Sequence, residues 1–219
     1  MIYSFGDLKN KKHWYALEKM ANLKNSMIYL FQLHCNFSEL SLNKVRPAWF
    51  SREGIFDTLM LTLDERVQYV AFHDSGNGEI KDHFLKNKKV SKISQKGGSG
   101  AQAFVNLLTY VIKQNYKDDD IIYFVEDDYL HKQGWVDVLL DGFNYIEADY
   151  YTLYDHPNKY SPELIAKFPT HLYVNPTAHW RTTVSTTNTY ACRFKTLKKH
   201  FDIHIQYCDL DVIPYNRLE

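Results

Sequence analysis

The stretch IIYFVEDDYL, residues 121–130, runs five apolar or aromatic residues, Ile121 to Val125, straight into three acids, Glu126, Asp127 and Asp128. A short, dense apolar run of this kind predicts a buried β-strand. Three adjacent carboxylates repel one another, so a strand that ends in them needs something to offset the charge. A divalent cation is the simplest agent. Mg2+ or Mn2+ takes one or two carboxylates and fills its remaining positions with phosphate oxygens and water. The plainer alternative is a solvated turn whose acids cap the next helix. Asp118, Asp119 and Asp120 precede the strand and read as a solvated loop.

Outward from this strand the chain alternates strand and helix. SMIYLFQLHCNF (26–37) reads as a first strand. A helix is expected from about Ser51, because Phe56, Leu59, Met60 and Leu63 share one face. VQYVAFHDSGNG (67–78) is a strand ending in a turn, EIKDHFLKN a short helix and VSKIS a short strand. Gly97, Gly98, Ser99 and Gly100 open a helix striped by Phe104, Leu107, Leu108, Val111 and Ile112. After the acidic strand come a helix at GWVDVLLDGFNYI and a strand at DYYTLYDH. This alternation implies an α/β fold, Rossmann-like, with a mixed, largely parallel sheet covered by helices on both faces. Past about residue 168 the pattern becomes β-rich, with a helix near 192–200, which predicts a smaller, antiparallel-leaning lobe. The expectation is one domain, with about 26–150 as one half and about 151–219 as the other.

Composition narrows the function classes. The formal net charge is zero over 219 residues, which argues against nucleic acid or an anionic membrane as partner. The 17 Tyr, 13 Phe and 4 Trp fill a core or supply stacking platforms. Cys35, Cys192 and Cys208 are scattered and odd in number, and the N-terminus lacks an apolar leader segment. A reduced, cytoplasmic location is expected, without a membrane span but with room for peripheral membrane contact. Leu218-Glu219 is open to reading as a cloning scar, in which case the natural protein continues.

Three segments in order carry a resemblance: FHDSGNG (72–78), KGGSGAQAFVNLL (96–108) and YFVEDD (123–128). Together they resemble the GT-A type nucleotide-diphosphosugar glycosyltransferases, family 2 in particular, over roughly residues 26–147. TTNTYACRFKTLKK (186–199) and CDLDVIPYNRL (208–218) resemble that family's late acidic motif, with Cys208 standing where a glutamate would. Arg46-Pro47-Ala48-Trp49-Phe50 has no counterpart in it.

The resemblance implies a metal-dependent glycosyltransferase, inverting in outcome, that takes a UDP- or GDP-sugar donor and a glycan or other hydroxyl acceptor. Glu126 and Asp128 would bind Mn2+ or Mg2+. Asp127 would lie beside the donor. Asp74 would accept from the nucleobase, or else close a turn on its own backbone. Lys96 and the helix entry at Gly100 would meet phosphate. Asp209, then Asp211, would be the general base. His179, Trp180 and Arg181, ahead of the hydroxyl-rich 182–189, would contact the acceptor, although such a stretch also suits an exposed strand.

Two rivals remain. A sugar nucleotidyltransferase would share the sheet and a metal-binding acid, but its Gly-rich loop with Arg and Lys after the first strand is missing, since QLHCNFSELSLNK contains no Gly. A non-catalytic nucleotide-sugar-fold binding protein is the other. A metal-dependent nuclease or phosphatase is weaker, because its acids and histidines would cluster at several strand ends.

Overall fold

The computed structural model describes residues 26–38, 44–168, 170–186 and 188–208. Its centre is a six-stranded sheet. β1 (Ile28–Cys35) leads to α1 (Arg52–Leu61), β2 (Val67–Asp74) and β3 (Ser91–Gln95). Then follow α2 (Gly100–Ile112), β4 (Ile121–Glu126), α3 (Trp135–Tyr145) and β5 (Tyr150–Tyr151). The remainder is α4 (Pro162–Lys167), β6 (Leu172–Val174), β7 (His179–Arg181), β8 (Tyr190–Arg193) and α5 (Phe194–Tyr207). The sheet order is β3-β2-β1-β4-β8-β5, and β6 pairs with β7 in a separate ribbon. β1 to β4 are mutually parallel, while β8 runs antiparallel to both β4 and β5. The fold is therefore mixed α/β with a mostly parallel sheet, as the alternation implies.

Strand parity sorts the core into two layers, because successive side chains leave a strand on opposite faces. Ile28, Leu30, Tyr69, Ala71, Ile121, Tyr123 and Val125 face Phe56 and Leu59 of α1 and Trp135, Leu139 and Phe143 of α3. Phe31, Val70, Phe72, Ile122 and Phe124 face Leu107, Leu108 and Val111 of α2 and Leu197 of α5. Both faces of the middle strands are covered, which is why β4 reads as a continuous apolar run.

Four expectations are corrected in detail. The helix expected over EIKDHFLKN is two 3-10 turns, Ile80–Asp82 and Phe84–Asn87, separated by His83 in an extended conformation. The strand at DYYTLYDH shortens to Tyr150–Tyr151. β8 joins the main sheet instead of a separate lobe, because Tyr190, Ala191 and Cys192 are all buried against β4. Asp118 and Asp119 pair with Lys198 and Lys195, but Asp120 is no solvated residue. It is buried and accepts from the Met27 and Lys117 N–H groups, tying β4 to the start of β1.

Among the described residues no helix is long and apolar enough to cross a membrane.

Candidate functional site

The carboxyl ends of β1, β2, β3 and β4 lie on one edge, where His34 pairs with His73 and Leu33 with Glu126 in the ladder. β2 and β3 lie to one side of β1 and β4 to the other. This edge is thus the topological switch point, where α/β sheets open a crevice for ligands.

The acids of β4 meet cations there. Arg46 donates to Asp128 Oδ2 at 2.7 Å, and Lys44 Nζ lies 4.0 Å from the same oxygen. Arg52, the first residue of α1, donates to Asp127 Oδ1 at 3.0 Å. Burial and the neighbouring Asp128 raise the Glu126 carboxyl above its usual range, and a hydrogen bond with the Asn188 side chain partly offsets this. Burial pushes Asp127 up to about 7, against the opposing pull of Arg52. The protein itself therefore sets cations against two of the three acids, Asp127 and Asp128. Asn188 holds its position with φ at 57°, a left-handed conformation that Asn tolerates better than most residues.

Asp74 organises the neighbouring loops. Its Oδ1 accepts from the Gly76, Gly97 and Gly98 N–H groups at 2.8, 2.7 and 3.1 Å. A Cβ on Gly76 would stand 2.3 Å from the Gly98 backbone, so the two loops touch only because glycine is there. The turn-closing role that sequence left open is the one drawn. Lys96 and Gly100 are exposed on the same edge, and Ser99 caps α2 by accepting from the Gln102 N–H at 3.1 Å.

Histidines cluster beside these acids at the same edge of the sheet. His34, His83 and Asp127, all buried, each present a ligand-capable atom within 4.8 Å of the others. His73 has both ring nitrogens engaged, with Ser94 Oγ at 3.1 Å and Asn36 Oδ1 at 2.5 Å.

A cleft of about 150 Å³ lies beyond the acids, lined by His179, Trp180 and Arg181 together with Tyr154 and Asp155. Arg181 donates to Asp155 Oδ1 at 3.1 Å and to the Tyr160 hydroxyl. Tyr154 meets Tyr129 edge-on at 5.0 Å, so the residue after Asp128 touches the cleft wall. The structure thus gathers His179, Trp180 and Arg181 in one place, and Asp74, Glu126, Asp127 and Asp128 in another. Asp209 and Asp211 lie outside the described residues.

Sequence reasoning missed Lys44, Arg46, Arg52, His34, His83 and Asn188. One signal was present: the RPAWF segment without a counterpart supplies Arg46.

No family model and no curated protein matches the chain. Among solved structures, a 4-diphosphocytidyl-2C-methyl-D-erythritol synthase from Anaerococcus prevotii is similar, with TM-score 0.48 and 9% identity. That likeness covers 89% of this chain and 81% of the other. A second 4-diphosphocytidyl-2C-methyl-D-erythritol synthase gives TM-score 0.43 and 13% identity, covering 86% of each chain.

The expectation of a metal-dependent, inverting glycosyltransferase is corrected here. Both solved structures are named for a diphosphocytidyl compound and neither for glycosyl transfer. Within the chain, Asp128, expected as a metal ligand, already holds Arg46, which comes from the segment without a counterpart in the glycosyltransferase resemblance, and Lys44 lies 4.0 Å away.

Proposed function

We propose that the chain binds a nucleoside triphosphate across the carboxyl ends of β1, β2 and β4 and transfers its nucleotidyl group to a second substrate. One observation carries this reading. Lys44, Arg46 and Arg52, all between β1 and the first turn of α1, converge on the acids that end β4. The glycine-free segment after β1 thus delivers the cations that a phosphate chain requires. Guanidinium forks match phosphate oxygens in geometry as well as charge. In nucleotidyl transfer a bond to the α-phosphorus forms as pyrophosphate leaves, and cations beside the leaving group stabilise its developing charge.

The Arg46 and Lys44 side chains are 27% and 54% exposed, so both can exchange Asp128 for phosphate. Asp128 is then released beside Glu126. These two offer oxygen donors only, which suits Mg2+ or Mn2+, and such an ion would neutralise phosphate charge when bound. Asp74 would fix the two glycine loops as a wall of the nucleotide site, with Asp127 held below by Arg52. Lys96 and the α2 entry at Gly100 would meet phosphate, because a helix N-terminus favours anions. His179, Trp180 and Arg181 would line the place of the second substrate.

A purely binding role is the second reading, favoured by the fact that Asp127 and Asp128 each already hold an arginine.

Calorimetric titration with the common ribonucleoside triphosphates and Mg2+ tests the proposal. One base should bind, and Arg46→Ala should weaken it about tenfold or more, the loss of a charged hydrogen bond. Absence of triphosphate binding, or an Arg46→Ala variant that binds like the parent, would overturn it. Release of pyrophosphate on addition of a second substrate separates transfer from binding alone.

A further inference from the structure

His34 Nδ1 and Asp127 Oδ2 face each other at 3.7 Å, and neither atom has a hydrogen-bond partner. Their side chains are 0% and 8% exposed. A chain of hydrogen bonds fixes what His34 presents. Gln32 Nε2 donates to the Glu126 carbonyl at 3.4 Å, which orients the amide. The Tyr69 hydroxyl donates to Gln32 Oε1 at 2.9 Å. With its proton committed, the Tyr69 oxygen accepts from His34 Nε2, 3.0 Å away. The His34 proton is therefore on Nε2, and Nδ1 shows a bare lone pair to a carboxylate oxygen. Two buried acceptors aimed at one another across a gap too long for a hydrogen bond are unfavourable unless something positive lies between them.

We propose that His34 Nδ1, Asp127 Oδ2 and His83 hold a divalent transition-metal ion of the zinc class, which pins β1, β4 and the turns after β2 together. Two imidazoles and one carboxylate favour such ions over Mg2+, which prefers oxygen donors. Both imidazoles are buried, and an imidazole binds a metal ion in its neutral form. Asp127 uses its other oxygen on Arg52, so the carboxylate spans a guanidinium and the ion. Tyr69 and Gln32 act as the outer partners that orient a metal-binding histidine. His83 is the ligand that must adjust. Its Nδ1 accepts from the Leu85 N–H at 3.3 Å, so taking the ion on Nε2 moves the ring proton to Nδ1 and gives up that long bond. This site is separate from the oxygen pair Glu126 and Asp128 and does not depend on the nucleotide reading.

The test is to strip the purified chain with a chelator, remove the chelator and titrate with Zn2+ and with Co2+. Expected are one ion per chain by elemental analysis, a d–d absorption for bound Co2+, a raised melting temperature and no displacement by excess Mg2+. His83→Ala should abolish binding while keeping the parent's circular dichroism. Tyr69→Phe removes no ligand, yet should weaken the ion by about 10–100-fold through the lost orientation of His34. Cys35→Ser should bind like the parent. The proposal is overturned if no ion is retained, which would leave only a proton in the gap, if folded His83→Ala still binds, or if Cys35→Ser loses the ion.

Discussion

Arg46 reaches Asp128 at 2.7 Å across 82 residues of sequence, and so joins the segment after β1 to the acids that follow β4. A phosphate and a carboxylate are rivals for the same guanidinium. The two single variants should therefore act in opposite directions. Arg46→Ala should lower triphosphate affinity and raise Mg2+ affinity at Asp128. Asp128→Asn should leave Arg46 free, raise triphosphate affinity without added metal, and abolish the gain that Mg2+ gives. Calorimetry with and without Mg2+ reads both, and changes of the same sign in both variants would remove the competition argument.

Asp74 is predicted to matter first for stability. It is 7% exposed and accepts from three backbone N–H groups. Asp74→Ala leaves those donors without their partner and should cost about 3 kcal/mol or more in urea unfolding. Asp74→Asn keeps one acceptor oxygen and should cost clearly less. Equal losses in the two variants would mean that the carboxylate does not organise the loops.

The close contact at Gly142 gives a third expectation. A Cβ there would stand 2.9 Å from Trp180 Cζ2 and 3.3 Å from Tyr151. Alanine normally improves a helix interior by about 1 kcal/mol over glycine. Here overpacking should dominate, and Gly142→Ala should lose about 1–3 kcal/mol in denaturant titration. Trp180 would also be displaced from the cleft it lines. A stabilised variant would show that α3 and β7 are less tightly packed than drawn.

Acid should weaken the fold through His131. Its Nε2 is 2.8 Å from the Tyr123 hydroxyl, it is 8% exposed, and burial pushes its pKa down to about 4 from 6.5. The sign follows directly. A folded pKa below the unfolded one gives stability that is complete above about 6.5 and is lost as pH falls through about 4. The shift corresponds to about 3 kcal/mol. His131→Gln cannot titrate, so the parent's advantage over it should shrink across that window in urea unfolding. A pH-independent difference between the two would assign the acid sensitivity elsewhere.

Much of the frame was legible in the sequence because burial on both faces leaves apolar runs, and β1, β2 and β4 read that way. The acid triplet at the end of β4 was legible for the same reason. Its partners were not. Arg46 and Arg52 come from a segment with no periodic signal, and their contacts with Asp128 and Asp127 span 82 and 75 residues. Parity held one unused clue: His34 continues the Ile28–Leu30–Gln32 face of β1, and Asp127 the Tyr123–Val125 face of β4. Both must then look toward α1. His83 carried no such signal, since its inward position depends on a break between two short turns. β8 was misplaced because a four-residue strand offers too little alternation to choose its sheet.

The central claim is that the cations after β1 serve a triphosphate. The most direct measurement is calorimetric competition, in Mg2+, between a nucleoside triphosphate and a diphosphosugar of the same base. The account predicts that the triphosphate binds more tightly and that Arg46→Ala removes most of that preference. A diphosphosugar that binds as tightly as the triphosphate, with affinity unaffected by Arg46→Ala, would contradict it.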